Sequence, residues 1–164
     1  MRGRLTIRKD NSFVRLVRRK KLSVPLPSRL TPTEDTDAGA LERVAALWRA
    51  VGSRVEVMDP AHHDKVLAVT SHLPHLLAFN IVNTADGLEG VLKGEILKYA
   101  AGGFTDFTRI AASDPTMWRD VFLHNKAAVL EVVGCYIEEL MALQRAIRRG
   151  EADALYERFA SARA

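Results

Sequence analysis

The sequence predicts a mainly all-α protein with a short strand–helix–strand segment ahead of its helices. Three observations lead there. From Asp59 onward the apolar residues recur at helical spacing, first along Val66, Leu67, Val69, Leu73, Leu76, Leu77, Phe79, Ile81 and Val82, then along Leu130, Val133, Ile137, Leu140 and Ile147. Before Asp59 one stretch, Arg54-Val55-Glu56-Val57-Met58, alternates as a strand does. Gly52, Pro60, Pro115 and Gly150 stand where helices end or begin, because glycine tolerates the left-handed cap and proline fits the first helical turn.

Taken in order, residues 1–29 hold no sustained helical period, and Pro25, Pro27 and Ser28 break any helix there, which predicts a mobile or extended arm. Leu30-Thr31-Pro32-Thr33 reads as a short strand or turn. Thr36 or Asp37 can cap a helix running to about Val51, with Leu41, Val44, Ala45, Leu47 and Trp48 on one face. Two strands do not make a stable sheet alone, so residues 30–58 look like the end of a larger α/β domain. Residues 59–164 form the helical body. Asp59-Pro60 opens a long apolar helix that Pro74 should kink, at a cost of about 3 kcal/mol. Leu92 to Ala101 is predicted as a short helix, Gly102-Gly103 as a turn, and Phe107 to Ala112 as a helix. Asp114-Pro115 starts the next helix and Asn125 caps the last long one. Its apolar stripe is wide enough to face both its own core and a partner chain. Gly150 ends it, and residues 151–160 form a final amphipathic helix.

Composition narrows the function. The chain has 164 residues, 48% of them hydrophobic, enough for one medium domain or a small domain with an arm. No run of 18 apolar residues occurs, so no transmembrane helix is predicted. The lone Cys135 lies in an apolar helical pattern and reads as a small core residue. A disulfide framework is thereby excluded and a cytoplasmic location fits. The overall charge of +4 conceals a split: residues 1–30 carry ten Lys/Arg and one acid, whereas residues 31–164 carry fourteen bases and nineteen acids. Arg18-Arg19-Lys20-Lys21 would attract a polyanion, but a solvated leader is the reading favoured over nucleic-acid binding.

The densest chemistry lies in Gly102-Gly103-Phe104-Thr105-Asp106-Phe107-Thr108-Arg109, followed by Ser113-Asp114-Pro115-Thr116-Met117-Trp118. Arg109 sits among Phe104, Phe107 and Ile110, and a cation in apolar company needs a partner. Asp106, three residues earlier, can supply it. The pattern admits both a structural ion pair and a guanidinium fork for a ligand carboxylate. Glycines at 102 and 103 would let a ligand approach the backbone. His72 and His75 are spaced to share a helix face, either as anion-binding groups or as structural histidines. No HExxH pair or cysteine partner accompanies them, so no metal is assigned. Gly87, Gly90 and Gly94 are too loosely spaced for a phosphate loop, and no GxGxxG occurs.

Met58-Asp59-Pro60-Ala61-His62-His63-Asp64, Ser71-His72-Leu73-Pro74-His75 and the run from Gly102 to Asp120 together resemble the prephenate/arogenate (cyclohexadienyl) dehydrogenase family, over about residues 30–164. The resemblance implies a helical dimerisation domain preceded by a remnant of a Rossmann domain. It implies a part in tyrosine biosynthesis, where prephenate or arogenate loses a hydride to NAD or NADP and carbon dioxide departs. It assigns Arg109 to a substrate carboxylate, His75 to the pocket, Asp106 and Trp118 to its wall or gate, and Gly102 to its backbone lining. It further implies a homodimer, with prephenate, arogenate or tyrosine as ligand. The family's first-domain catalytic histidine and serine have no match before residue 30. No catalytic residue is therefore assigned, no NAD or NADP is expected to bind this chain alone, and a separate nucleotide-binding domain is a conceivable partner. The alternative is a non-catalytic module that binds tyrosine or another aromatic acid.

Overall fold

The computed structural model describes residues 27–87, Glu95, Tyr99 and residues 102–163. The arm up to residue 26 and the helix predicted over residues 92–101 lie, as elements, outside the described residues. The chain divides into two compact units within a helix, after His63.

The first unit is a strand–helix–strand. Strand β1 (Pro27–Leu30) pairs in parallel with β2 (Arg54–Val57), Pro27 opposite Arg54 and Leu30 opposite Val57. The first strand ends where it was expected to begin, and residues 27–29 belong to it rather than to the arm. Pro27 opens the strand, a place where its missing N–H is tolerated. Thr33 to Thr36 is a turn, closed by the Thr36 N–H on the Thr33 carbonyl at 3.0 Å. Helix α1 (Ala38–Ala50) connects the strands and packs on both. Asp37 caps it, accepting from the Ala40 N–H at 2.6 Å. Gly52, at φ 91°, reverses the chain, so that the Ser53 N–H returns to the Trp48 carbonyl at 3.0 Å. Of the apolar face read on α1, Ala45 is buried, while Val44, Leu47 and Trp48 remain exposed.

The second unit is helical. Helix α2 (Pro60–Leu67) begins with the Asp59 carboxylate on the His62 N–H, at 2.8 Å. It leads into a π-helical turn, Ala68–His72, and then α3 (Leu73–Asp86). The π-turn is where a kink was expected. Pro74 has no N–H for the carbonyl four residues back, and its ring would press on that carbonyl. Widening the preceding turn resolves this, and the Leu73 N–H bonds Ala68 O instead. Helix α4 (Gly102–Ala111) takes in both glycines predicted as a turn. Asp114 caps α5 (Pro115–His124) by accepting from the Met117 N–H at 2.8 Å. Then come α6 (Lys126–Arg149) and α7 (Ala152–Arg163). Gly150, at φ 68°, closes α6 while the Glu151 N–H reaches back to Ala146 O at 3.0 Å.

The core of this unit is made of small residues. Ala68 meets Ala128 and Val129, with Phe122, Val132 and Val133 around them. Small side chains let the π-turn and α6 approach closely, and α4 packs on α3. One core assignment fails: Cys135 is exposed. On the wide stripe of α6, Val133 packs on the core, whereas Leu130, Ile137, Leu140 and Ile147 are exposed. Among the described residues, the apolar stripe of α6 continues past the core with α7 beside it.

Candidate functional site

The π-turn that accommodates Pro74 also sets the histidines. His72 ends it and His75 is the third residue of α3; both meet the indole of Trp118 on α5. The His75 ring stacks on the indole with centroids 3.7 Å apart and planes 20° from parallel. His72 meets it edge-on, at 6.2 Å and 77°. Phe122, one turn further along α5, lies 5.6 Å away on the same indole. Trp118 is 7% exposed, and its buried Nε1–H has no hydrogen-bond partner among the described residues. Such a donor costs about 1–3 kcal/mol, so stacking and burial rather than a hydrogen bond hold this ring.

The nitrogens are constrained as well. The His75 Nδ1 lies 2.9 Å from the Ser71 carbonyl. A carbonyl only accepts, so Nδ1 carries the proton and Nε2, on the far edge of the ring, is the accepting nitrogen of the neutral form. Asn125, read from the sequence as a cap for α6, makes no side-chain cap. Its amide nitrogen instead donates to the Asp64 carbonyl at 2.8 Å and lies 3.1 Å from the His72 Nδ1.

Arg109 and Asp106 sit elsewhere. Along α4, Phe104, Phe107, Thr108 and Ala111 are half-buried, whereas Gly102, Thr105, Asp106 and Arg109 form the exposed stripe. Arg109 pairs with Asp106 at 3.6 Å, with side chains 72% and 74% exposed. The expected pair is present, but the expected apolar enclosure is not: the guanidinium leaves the phenylalanines to the other side of its helix. Gly102 has open space where a Cβ would stand. The five site residues read from the sequence thus form two groups, Gly102, Asp106 and Arg109 on one stripe of α4, and His75 with Trp118 in a stack between α3 and α5. His72 was noticed only for its spacing and Asn125 only as a cap. Nothing in a linear sequence shows that residues 53 positions apart share a hydrogen bond.

Charge adds little to this arrangement. On α5, the Arg119 guanidinium hydrogen-bonds the Asp120 carboxylate at 2.7 Å, raising its own pKa and lowering that of Asp120. Both side chains are solvent-facing. Among the described residues no three His, Cys, Asp or Glu side chains converge as a metal site would require.

The family model for the dimerization domain of prephenate dehydrogenase matches residues 59–161. The chain belongs to this family. The cyclohexadienyl dehydrogenase of Zymomonas mobilis is 41% identical over 133 residues, which are 81% of this chain and 45% of that protein. The prephenate dehydrogenase of Bacillus subtilis is 37% identical, over 82% of this chain and 36% of its own length. Among solved structures, prephenate dehydrogenase from A. aeolicus in complex with hydroxyphenyl propionate and NAD+ superposes with a TM-score of 0.75 at 42% identity, covering 82% of this chain and 47% of that one. Synechocystis arogenate dehydrogenase gives 0.67 at 27% identity, over 76% and 45%. The chain therefore spans less than half the length of these prephenate dehydrogenase relatives. The resemblance carried by the histidine and Gly-Gly-Phe-Thr-Asp-Phe-Thr-Arg motifs holds, and so does the helical fold class with its short strand–helix–strand. The helical run Pro60–Asp86 is, by length and composition alone, long and apolar enough to cross a membrane, although it holds no unbroken run of 18 apolar residues.

Proposed function

We propose that this chain supplies the dimerisation and substrate-binding part of a cytoplasmic prephenate or arogenate dehydrogenase. The observation that carries the reading is the exposed Arg109 on the glycine-fronted stripe of α4, a helix packed on the one that carries His75. A guanidinium paired with an exposed aspartate can turn its fork to a ligand carboxylate, a planar bidentate match. His75 offers Nε2 to a second polar group of the ligand, and the Trp118 ring keeps the imidazole flat. Together these groups bind and orient an aromatic or cyclohexadienyl acid.

The chemical step needs a hydride acceptor, and the described residues do not fit a dinucleotide. In the strand–helix–strand unit the turn before α1 is Thr31-Pro32-Thr33-Glu34-Asp35-Thr36-Asp37, without glycine and with three acids. The α1 N-terminus, where a pyrophosphate would bind, is already filled by the Asp37 carboxylate. No step is therefore assigned through NAD or NADP within these residues, and a nucleotide-binding domain has to complete the enzyme.

Dimerisation rests on the exposed face of α6. Leu140, Met141, Leu143, Gln144, Ile147 and Phe159 line an open apolar groove of about 460 Å³ between α6 and α7. A second copy of the chain is its occupant, as the family's description as a dimerization domain supports.

The test is titration calorimetry of the chain with 3-(4-hydroxyphenyl)propionate. Binding is expected, weakened at least about tenfold in Arg109→Ala by loss of a charge-assisted pair. Equal affinity in the variant, or none in either, would overturn the reading. Mixing the chain with prephenate and NAD+ or NADP+ should give no reduced nucleotide. Binding of tyrosine in preference to the propionate, without any turnover once a nucleotide-binding domain is supplied, would favour a non-catalytic aromatic-acid module.

A further inference from the structure

The polar groups around Trp118 do more than fill space. The carbonyl of Asp64 can only accept, so the Asn125 amide must present its NH2 to it, at 2.8 Å. The second N–H of the same nitrogen faces the His72 Nδ1 at 3.1 Å, which must then be the lone-pair nitrogen, leaving the proton of the neutral ring on Nε2. His75 is fixed the other way round by the Ser71 carbonyl. Two histidines three residues apart thus hold opposite tautomers against one indole, and His72 is 8% exposed.

We infer that Asn125 is a positioning residue for His75: its amide clamps His72 as the Nε2–H tautomer, and His72 with Trp118 holds the His75 imidazole flat and its Nε2 turned away from its own helix. This rests on the proposed role of His75 in ligand binding. The chain of contacts is continuous. Asn125, at the junction of α5 and α6, ties to the α2 backbone and to the π-turn; His72 meets Trp118 edge-on; Trp118 stacks on His75. A His75 free to rotate would offer its accepting nitrogen in many directions, and the ligand would lose a pre-aimed hydrogen bond.

The experiment is long-range proton–nitrogen NMR of the full chain labelled on histidine, paired with calorimetry using 3-(4-hydroxyphenyl)propionate. In the wild-type chain His72 should show an unprotonated Nδ1 and His75 a protonated one. Asn125→Asp keeps the shape but replaces the donor with an acceptor, so His72 should gain a proton on Nδ1 and the affinity should fall about tenfold, the loss of one aimed hydrogen bond. Asn125→Ala should broaden or shift the His75 signal as well, a change that mere space-filling would not produce. Arg109→Ala should weaken binding while leaving both tautomers as they were. A protonated Nδ1 on His72 in the wild-type chain would overturn the inference, even if Asn125→Asp fails to fold. So would unchanged tautomers and affinity in Asn125→Asp. A wild-type chain that does not bind the propionate refutes the functional reading separately, and the His75 signal in Asn125→Ala then decides the clamp.

Discussion

At its N-terminal end α6 lays Ala128 and Val129 against Ala68, and all three are buried; toward its C-terminal end Leu140, Met141 and Ile147 stay exposed. Both ends read as the same amphipathic helix. At the first end the π-turn of Ala68–His72 brings a second helix within reach, and small side chains allow close approach. At the second end, among the described residues, the neighbour is α7. An ion pair between Arg158 and Glu139 ties it there, and the groove beside it stays open. An apolar stripe therefore reports a need for burial without saying which chain meets it. One end serves the fold; the other is the face proposed for assembly.

The largest expected effect breaks the buried end. Trp118→Ala removes the ring on which His72, His75 and Phe122 converge, and chemical denaturation should show a loss of about 3–5 kcal/mol. A loss comparable to a surface substitution would mean that the stack is not part of the folded core. Next comes the open end. Ile147 is 66% exposed, so Ile147→Asp should leave the fold of a single chain intact. Sedimentation should show dimer dissociation strengthened about thirtyfold, the equivalent of a hot spot of about 2 kcal/mol. An unchanged dimer would place the interface elsewhere.

Arg109→Ala sharpens the comparison from a third side. Its pair with Asp106 is exposed and worth little to stability, so the melting temperature should hold while ligand affinity falls. A marked drop in melting temperature would instead make the pair structural. The smallest effect belongs to Asp120→Asn. The guanidinium of Arg119 holds the Asp120 carboxyl below its ordinary pKa, so its contribution is present above the usual carboxylate range and is lost as pH falls through the lowered value. Because the pair is solvent-facing, the variant should melt no more than slightly below wild type at neutral pH, and that small difference should close as pH falls through the lowered value. A clear difference at neutral pH would show that the pair is less screened than its exposure indicates.

Local signals held at the aspartate caps and at two glycines, but not at Gly102-Gly103, which lie inside α4, or at Asn125, whose side chain caps nothing. Asp37, Asp59 and Asp114 precede helices because an acceptor three residues before a free N–H satisfies it, and Gly52 and Gly150 sit at positive φ where other residues would be strained. The family motif was legible too, since it is a run of consecutive residues. The π-turn was half legible: Pro74 announced a disturbance but not its form. The enclosure expected for Arg109 failed because an amphipathic α4 turns neighbouring residues to opposite sides, so aromatic neighbours in sequence are not neighbours in space.

Most helices, the caps at Asp37, Asp59 and Asp114, the strand Arg54–Val57 and the family motifs follow from residue types within a few positions of one another, where backbone geometry is short-ranged and side-chain patterns repeat. The partnership of Asn125 with His72, the stacking of His75 on Trp118, the exposure of Cys135 and the open stripe of α6 depend on which helices meet and at what distance. That is settled by packing, as small residues such as Ala68 and Ala128 let one pair of helices close while bulky ones leave another face without a neighbour, and packing joins residues that sequence spacing keeps far apart.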